Sequence, residues 1–391
     1  MSEWKKCKLG ELMVKKGYIR GPFGSSLKRG EMKEFGVPVY EQRNAIYDHR
    51  DFRFFIDEEK FRELKRFQVN TNDLIISCSG TVGRISIIKK NDLKGVISQA
   101  LLILRSDISK IELKFLFYFL TSKVGFELIT QASHGSVQVN IAARAVVENI
   151  PIVLPPLLEQ KAIASVLSSL DDKIDLLHRQ NKTLEAIAET IFRQWFIINA
   201  KDDWQEGVLG DAIEIFDNQR IPLSKMQRDK MKEGKLYPYY GAATIMDYVN
   251  DYIFDGYYIL LGEDGTVSTN EGYPILQFVS GKFWVNNHAH IFHAKAPYTN
   301  FFIWCFLLKK NVDEIVTGAV QPKISQTNLL SLDFPKFPIN LVERFNYKTE
   351  SLSEKIKTNT LQIQTLAQLR DTLLPKLMSG KIRVQYDKGE K

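Results

Sequence analysis

The chain is poor in cysteine. Cys7, Cys78 and Cys305 are the only three in 391 residues, and they stand far apart. They form neither a disulfide framework nor a zinc-binding spacing, which points to a reducing compartment. No run of about 18 apolar residues occurs, so no membrane span is expected. Met1-Ser2-Glu3-Trp4-Lys5-Lys6 lacks the apolar core of a signal peptide, so the expected location is the cytoplasm. Catalytic signatures are as scarce. There is no G-x-x-x-x-G-K-[ST] phosphate loop, no G-x-G-x-x-G opening a helix, and no H-E-x-x-H. Asn-Pro-Pro-aromatic and Asp-Pro-Pro-aromatic tetrapeptides are missing too, which excludes the usual catalytic loop of amino-methyltransferases. The expectation is a protein with no catalysis, cofactor or metal of its own.

What is present is a globular composition, 44% hydrophobic and 25% charged. The length favours two or three domains. The net charge of +7 is unevenly spread. Residues 1–150 carry 25 Lys and Arg against 17 Asp and Glu, hence +8, whereas residues 201–334 carry 12 against 17, hence −5. A basic first half suits attraction to phosphates. An acidic second half needs a local basic or polar patch, or help from partner subunits, to meet the same ligand.

The chain also repeats itself. Gly135-Ser136-Val137-Gln138-Val139-Asn140-Ile141 returns as Gly318-Ala319-Val320-Gln321-Pro322-Lys323-Ile324, and Trp4, Leu9 and Gly10 return as Trp204, Leu209 and Gly210. Strand-like runs Val37–Tyr40, Asp73–Ser77 and Gln99–Leu104 reappear as Tyr237–Tyr240, Tyr257–Leu261 and Phe283–Phe292. The aromatic helix Phe115–Leu120 reappears as Phe302–Leu307. The offset falls from 200 (Tyr40 to Tyr240) to 183 (Gly135 to Gly318), so loops change length on a kept frame. Variable loops on a repeated frame are where recognition usually sits.

Each copy leads into a long helical pattern. The first seam runs Ile163, Leu167, Leu170, Ile174, Leu177, Leu184, Ala188, Ile191 and Trp195, with Asn181 its one polar member. The second runs Phe345, Leu352, Ile356, Ile363, Leu366, Leu373 and Leu377, interrupted by Thr349, Asn359 and Arg370. Alternating spacings of three and four make a heptad seam, in which a polar residue is able to set register. Pro155-Pro156 and Pro338 open the helices, Pro375 is expected to kink the second, and Ser379-Gly380 ends it. Each spans roughly 40 residues, or ~60 Å. Two matched seams in one chain favour pairing within the chain over a coiled coil between chains. A twofold relation between the copies then requires the helices to run antiparallel, with the domains at opposite ends. The expected fold class is α+β: two mixed α/β domains separated by two long antiparallel coiled-coil helices, a pseudo-twofold internal repeat. The expected boundaries are 1–153, 154–198 (central helix), 199–337, 338–380 (C-terminal helix) and a tail at 381–391.

Two clusters tempt a catalytic or metal reading. His288, His290 and His293 lie close, but strand alternation puts His293 opposite the other two, and the first copy offers Gln99, Leu101 and Leu104 at the matching places. A polar strand edge is the expected role. Ser77-Cys78-Ser79 before Gly80 has no histidine base beside it, and Gly262-Glu263-Asp264-Gly265 replaces it in the second copy, so a turn is expected.

Four stretches together resemble the DNA-specificity subunit of type I restriction-modification systems across essentially the whole chain. They are Pro155-Pro156-Leu157-Leu158-Glu159-Gln160-Lys161-Ala162-Ile163 leading to Ile191–Phe196; Tyr239-Tyr240-Gly241-Ala242 with Asp255–Leu260; Val285–His290; and Leu369–Ile382. The resemblance implies two target-recognition domains, each reading one half of a split, asymmetric duplex DNA target. It implies helices that set the gap and dock two methylation subunits, which bring S-adenosylmethionine for adenine methylation. Restriction subunits using ATP and magnesium complete the nuclease. The second helix departs from the pattern, with Leu341-Val342-Glu343-Arg344 in place of Leu-Glu-Gln, so docking there is expected to differ.

Base edges are read mainly by Arg, Lys, Asn and Gln in the major groove. Candidates are Arg43, Asn44, Gln99, Gln138 and Asn140 in the first domain, and Gln219, Arg220, Asn287, Gln321 and Lys323 in the second. Lys28, Arg29, Arg84 and Lys225 suit phosphate contacts, which position without specifying. The alternative is a coiled-coil scaffold that binds protein without reading DNA sequence.

Overall fold

A computed structural model describes residues 4–23, 27–132, 139–200, 204–318 and 320–385. The chain divides into two units, Met1–Asp172 with Ala367–Lys391, and Lys173–Leu366. Each unit thus holds one domain and a stretch of both long helices.

In the first unit a four-stranded antiparallel sheet is ordered Met13–Arg20, Leu101–Ser106, Leu74–Ser77, Ile85–Ile87. Strand alternation decides its two faces. Leu74, Ile76, Leu102 and Leu104 face the aromatic helix Leu113–Thr121, together with Ile163, Leu167 and Leu377 from the long helices. Ile75 and Ile103 face the other way, into a smaller core with Tyr40 and Ile97. In the second unit a six-stranded sheet is ordered Ile213–Ile215, Ala289–Ala294, Phe254–Gly262, Leu276–Val285, Tyr237–Tyr240, Ile245–Val249. Here Ile259, Leu261 and Phe292 pack with the helix Asn300–Leu307 and with Ala188, Phe192 and Phe345 of the long helices. Full burial of each such side chain contributes about 1.5–3 kcal/mol.

The repeat is reproduced bond by bond. Tyr40 pairs in parallel with Ile97, and Tyr240 with Val285. Leu74–Ser77 pairs with Leu104–Leu101, and Ile259–Gly262 with Phe292–Ala289. The Leu9 amide donates to Ile150 O at 2.9 Å, and the Leu209 amide to Leu332 O at 2.8 Å. The glycines that follow serve close approach. A Cβ on Gly10 would stand 2.9 Å from the Glu148 carbonyl oxygen, and one on Gly210 3.1 Å from that of Leu330.

This register corrects the sequence alignment of the histidines by one residue. Ala289 answers to Leu101, so Asn287, not His288, is the counterpart of Gln99, and His290 answers to Leu102. His290 is buried in the strand, while His288 lies just before it and is half exposed.

The central helix runs Leu157–Arg193 and ends in a wider turn, Gln194–Ile198. The C-terminal helix runs Ile339–Met378 and includes Pro375 in its last turn. Gly380, at φ +70°, stops it, and the Ile382 amide donates to Lys376 O at 3.1 Å. Within each unit the two helices are antiparallel. In the second, Asn181 meets Asn359 while Phe192 meets Phe345. In the first, Glu159 meets Arg383 while Asp171 meets Arg370. All the apolar seam positions named from sequence are buried or half-buried.

At the start of the central helix Glu159 and Gln160 face inward, while Leu158 before them is exposed. Glu159 is fully buried, accepts from Trp4 Nε1 at 3.3 Å and pairs with Arg383 Nη2 at 2.6 Å. Gln160 accepts from the Glu112 amide at 2.8 Å and donates to Pro155 O at 2.8 Å. These side chains hold a domain to its helix. Leu341 and Val342 are likewise covered at the start of the second helix, an apolar solution to the same packing problem.

Candidate nucleic-acid interface

Four segments of the second unit meet at one corner: the turn Asp217–Gln219, the end of the strand Phe254–Gly262 with Glu263 and Asp264, the approach to the strand Ala289–Ala294, and the hairpin Val316–Thr317/Lys323–Ile324. Backbone bonds stitch them together. The Glu263 amide donates to His288 O (2.8 Å), the Ile324 amide to Glu263 O (2.9 Å) and the Gly265 amide to Pro322 O (3.0 Å).

A charged clasp lies beneath. Arg220 Nη1 is 2.6 Å from Glu263 Oε2 and donates to Ala289 O at 2.6 Å. His290, 1% exposed, places Nδ1 2.5 Å from Asp217 and Nε2 2.9 Å from Ile324 O. Lys323 Nζ stands 3.3 Å from Glu263. Asp217, Glu263 and His290 bring their ligand atoms within 4.8 Å of one another, a spacing that a cation would accept. Arg220 already faces both carboxylates and His290 has an acceptor at each ring nitrogen, so the geometry is that of a hydrogen-bonded clasp.

All five sequence candidates of the second domain therefore fall on this corner, in two kinds of place. Gln219, Asn287, Gln321 and Lys323 are exposed. Arg220 is covered and committed to the clasp, which corrects its expected place at a base edge. Sequence reasoning missed Asp217, Glu263 and Asp264. The Asp264 carboxylate lies 2.5 Å from Nδ1 of the half-exposed His288. Arg220 is three residues from Asp217, but their other partners, His288, His290, Ile291 and Lys323, are remote in the chain.

The first unit builds a matching corner. The Cys78 amide donates to Ala100 O at 2.8 Å and the Ser98 amide to Tyr40 O at 2.8 Å, joining the segments that carry Arg84, Gln99 and Arg43. Gln99 and Arg84 are exposed. Arg43 is half-buried, with Nε 3.3 Å from His49 Nε2. Asn44 is 0% exposed, accepts from the Glu41 amide at 2.7 Å and donates to the carbonyls of His49 and Asp51 at 3.1 Å. Its amide is spent inside the fold and has nothing left for a base. Gln138 lies outside the described residues, as does the side chain of Asn140. Ser77 Oγ donates to Thr81 O at 2.6 Å and accepts from the Arg84 amide at 2.9 Å, closing the turn, while burial pushes the Cys78 thiol up to about 11. Neither is poised as a nucleophile.

The phosphate candidates are all exposed but scattered. Lys28 and Arg29 sit on a segment tied to the helix Glu58–Glu63 through Lys60 and Glu31, 3.0 Å apart. Lys225 opens the helix Lys225–Lys230, capped by Ser224.

Two copies of a mixed α/β domain, each with a polar corner at the same place in the same hydrogen-bonded frame, define a protein built to read a ligand twice. A family model for the type I restriction modification DNA specificity domain matches residues 1–186 and again 201–340. The MjaIX specificity subunit of Methanocaldococcus jannaschii, a type I restriction enzyme component, is 29% identical over 307 residues, covering 70% of this chain and 69% of that protein. The MjaVIII specificity subunit of the same organism is 22% identical over 419 residues, covering 98% and 94%. The fold matches that of the type I S subunit from M. genitalium at a TM-score of 0.51 and 17% identity, covering 98% of this chain and 97% of that one. The chain belongs to the family of DNA-specificity subunits of type I restriction-modification systems. Its part in such a system is recognition, not catalysis.

Proposed function

We propose that each corner reads one half of a split, asymmetric DNA target, and that the paired helices set the gap between the halves. The observation that carries this reading is the equivalence of Gln99 and Asn287. Both are exposed amides at the same position of the repeated frame, yet they differ in reach. Amide side chains pair with adenine edges in the major groove, and a change of length between copies suits two different half-sites. In the acidic second unit the carboxylates of Asp217 and Glu263 are matched by Arg220, His290 and Lys323. The clasp thus supports, at the corner, the local polar patch that a net-acidic domain needs. Lys28, Arg29, Arg84 and Lys225 serve phosphates.

In this reading the chain carries no cofactor. Two methylation subunits dock on the helices and bring S-adenosylmethionine, and restriction subunits bring ATP and magnesium. The complex works in the cytoplasm, where the DNA is. The test is co-expression with the methylation subunit followed by mapping of methylated adenines. The expected result is one split motif with two unrelated halves, and a change in one half only when residues 199–337 are exchanged. A complex with no split preference, or partner capture indifferent to DNA and salt, overturns the proposal in favour of a protein scaffold.

A further inference from the structure

In the second unit Gly318, Val320 and Gln321 of the Gly-x-Val-Gln repeat lie between the paired strands Val316–Thr317 and Lys323–Ile324, toward the tip of their hairpin. Described residues on both sides of it are anchored. Gly318 adopts φ +86°, and a Cβ there would stand 2.4 Å from the Gln321 carbonyl oxygen, so only glycine closes the turn. Pro322 restricts the backbone on the other side, and its carbonyl accepts from Gly265. Thr317 Oγ1 donates to Lys323 O at 3.2 Å, and Ile324 is buried in the core. Toward this tip Val320 is 99% exposed.

Single exposed apolar residues are ordinary on protein surfaces. This one differs in three respects. It stands at the tip of a pinned hairpin, it is followed directly by the exposed amide of Gln321, and it belongs to the corner that presents Asn287 and Gln219. The first copy also carries valine before glutamine, Val137-Gln138. Among hydrogen-bonding readers, a β-branched apolar side chain has one apolar feature to recognise in the major groove, the 5-methyl group of thymine.

We propose that Val320 is a specificity-determining residue whose side chain packs on the methyl group of one thymine in the half-site read by the second unit. This rests on the corner being the DNA-reading surface. The turn aims the valine outward, Gln321 hydrogen-bonds at a neighbouring base edge, and the clasp below keeps the hairpin from yielding.

The experiment uses the full chain in complex with its methylation subunit, once the target motif is mapped. Each thymine in turn is replaced by deoxyuridine, which removes only the methyl group, and duplex binding is measured. For the unaltered chain, one replacement in the second unit's half-site is expected to weaken binding about fourfold, the worth of one buried methyl group. Val320→Ala is expected to abolish that sensitivity and to leave the other half-site unaffected. Because the side chain is exposed, the substitution leaves the fold intact. The proposal is overturned if no thymine in that half responds, if Val320→Ala retains the response, or if it weakens all duplexes alike. Absence of any split target would instead sink the DNA-reading assignment; a clear target without coupling to Val320 sinks this inference alone.

Discussion

Asn359 of the C-terminal helix donates its side-chain amide to Oδ1 of Asn181 on the central helix at 2.8 Å, and both residues are buried in the apolar seam. A polar pair among leucines and isoleucines is satisfied in one register only, since sliding either helix places an amide against hydrocarbon. Asn181→Leu is expected to destabilise the second unit by about 1–3 kcal/mol, because it strands the Asn359 amide. The double change Asn181→Leu/Asn359→Leu is expected to recover most of that loss. Urea unfolding of the four variants measures the coupling, and simple additivity would show that the pair does not act as a unit.

Adding four residues to both long helices lengthens each by ~6 Å, or about two base pairs at ~3.4 Å each. The gap between half-sites is expected to grow by that amount while both half-site sequences stay the same. Mapping methylated adenines in cells carrying the insertion reads this directly. An unchanged gap would mean that the helices are not the ruler.

Burial alone raises the Glu185 carboxyl to about 7 from an ordinary value of 4.5. A raised folded value means that the neutral acid is the form the fold accommodates. Its contribution to stability is present in full below pH 4.5 and is lost as pH rises through 7. Glu185→Gln is expected to raise the melting temperature at pH 8, by the equivalent of about 1–3 kcal/mol, and to change little at pH 4. Equal effects at both pH values would count against a buried neutral carboxyl.

Asn44 and Gln99 were equally good candidates on residue type, yet they are expected to fail differently. Asn44→Ala leaves the Glu41 amide and the Asp51 carbonyl without the partner Asn44 gives them and is expected to cost about 1–3 kcal/mol of stability with the target sequence unchanged. Gln99→Ala, at an exposed site, is expected to keep stability and relax one position in the first half-site. Asn287→Ala is expected to do the same in the second half. Thermal melts and methylation mapping of the three variants separate fold from reading.

Much of the frame was legible because it is written in periodicity. Leu74 to Ser77 lies in a short strand-like run, Ile163 to Trp195 repeats by threes and fours, and Gly380 ends a helix that Pro338 opens. Such signals act between residues a few positions apart, so they survive without knowledge of the rest of the chain. The inward roles of Glu159 and Gln160 were not legible. Their partners Arg383 and Glu112 are brought to them only by folding.

The amino-acid sequence by itself determined the two domains, the two seamed helices and the residue types able to read DNA, because covalent spacing and local sterics decide those. Only the tertiary structure decided which of those residues face outward. It matched Gln99 to Asn287, sent Asn44 and Arg220 inward and set Val320 at the tip of its hairpin. The physical reason is that exposure and hydrogen-bond satisfaction depend on neighbours far away in the chain, and these exist only once the strands have paired.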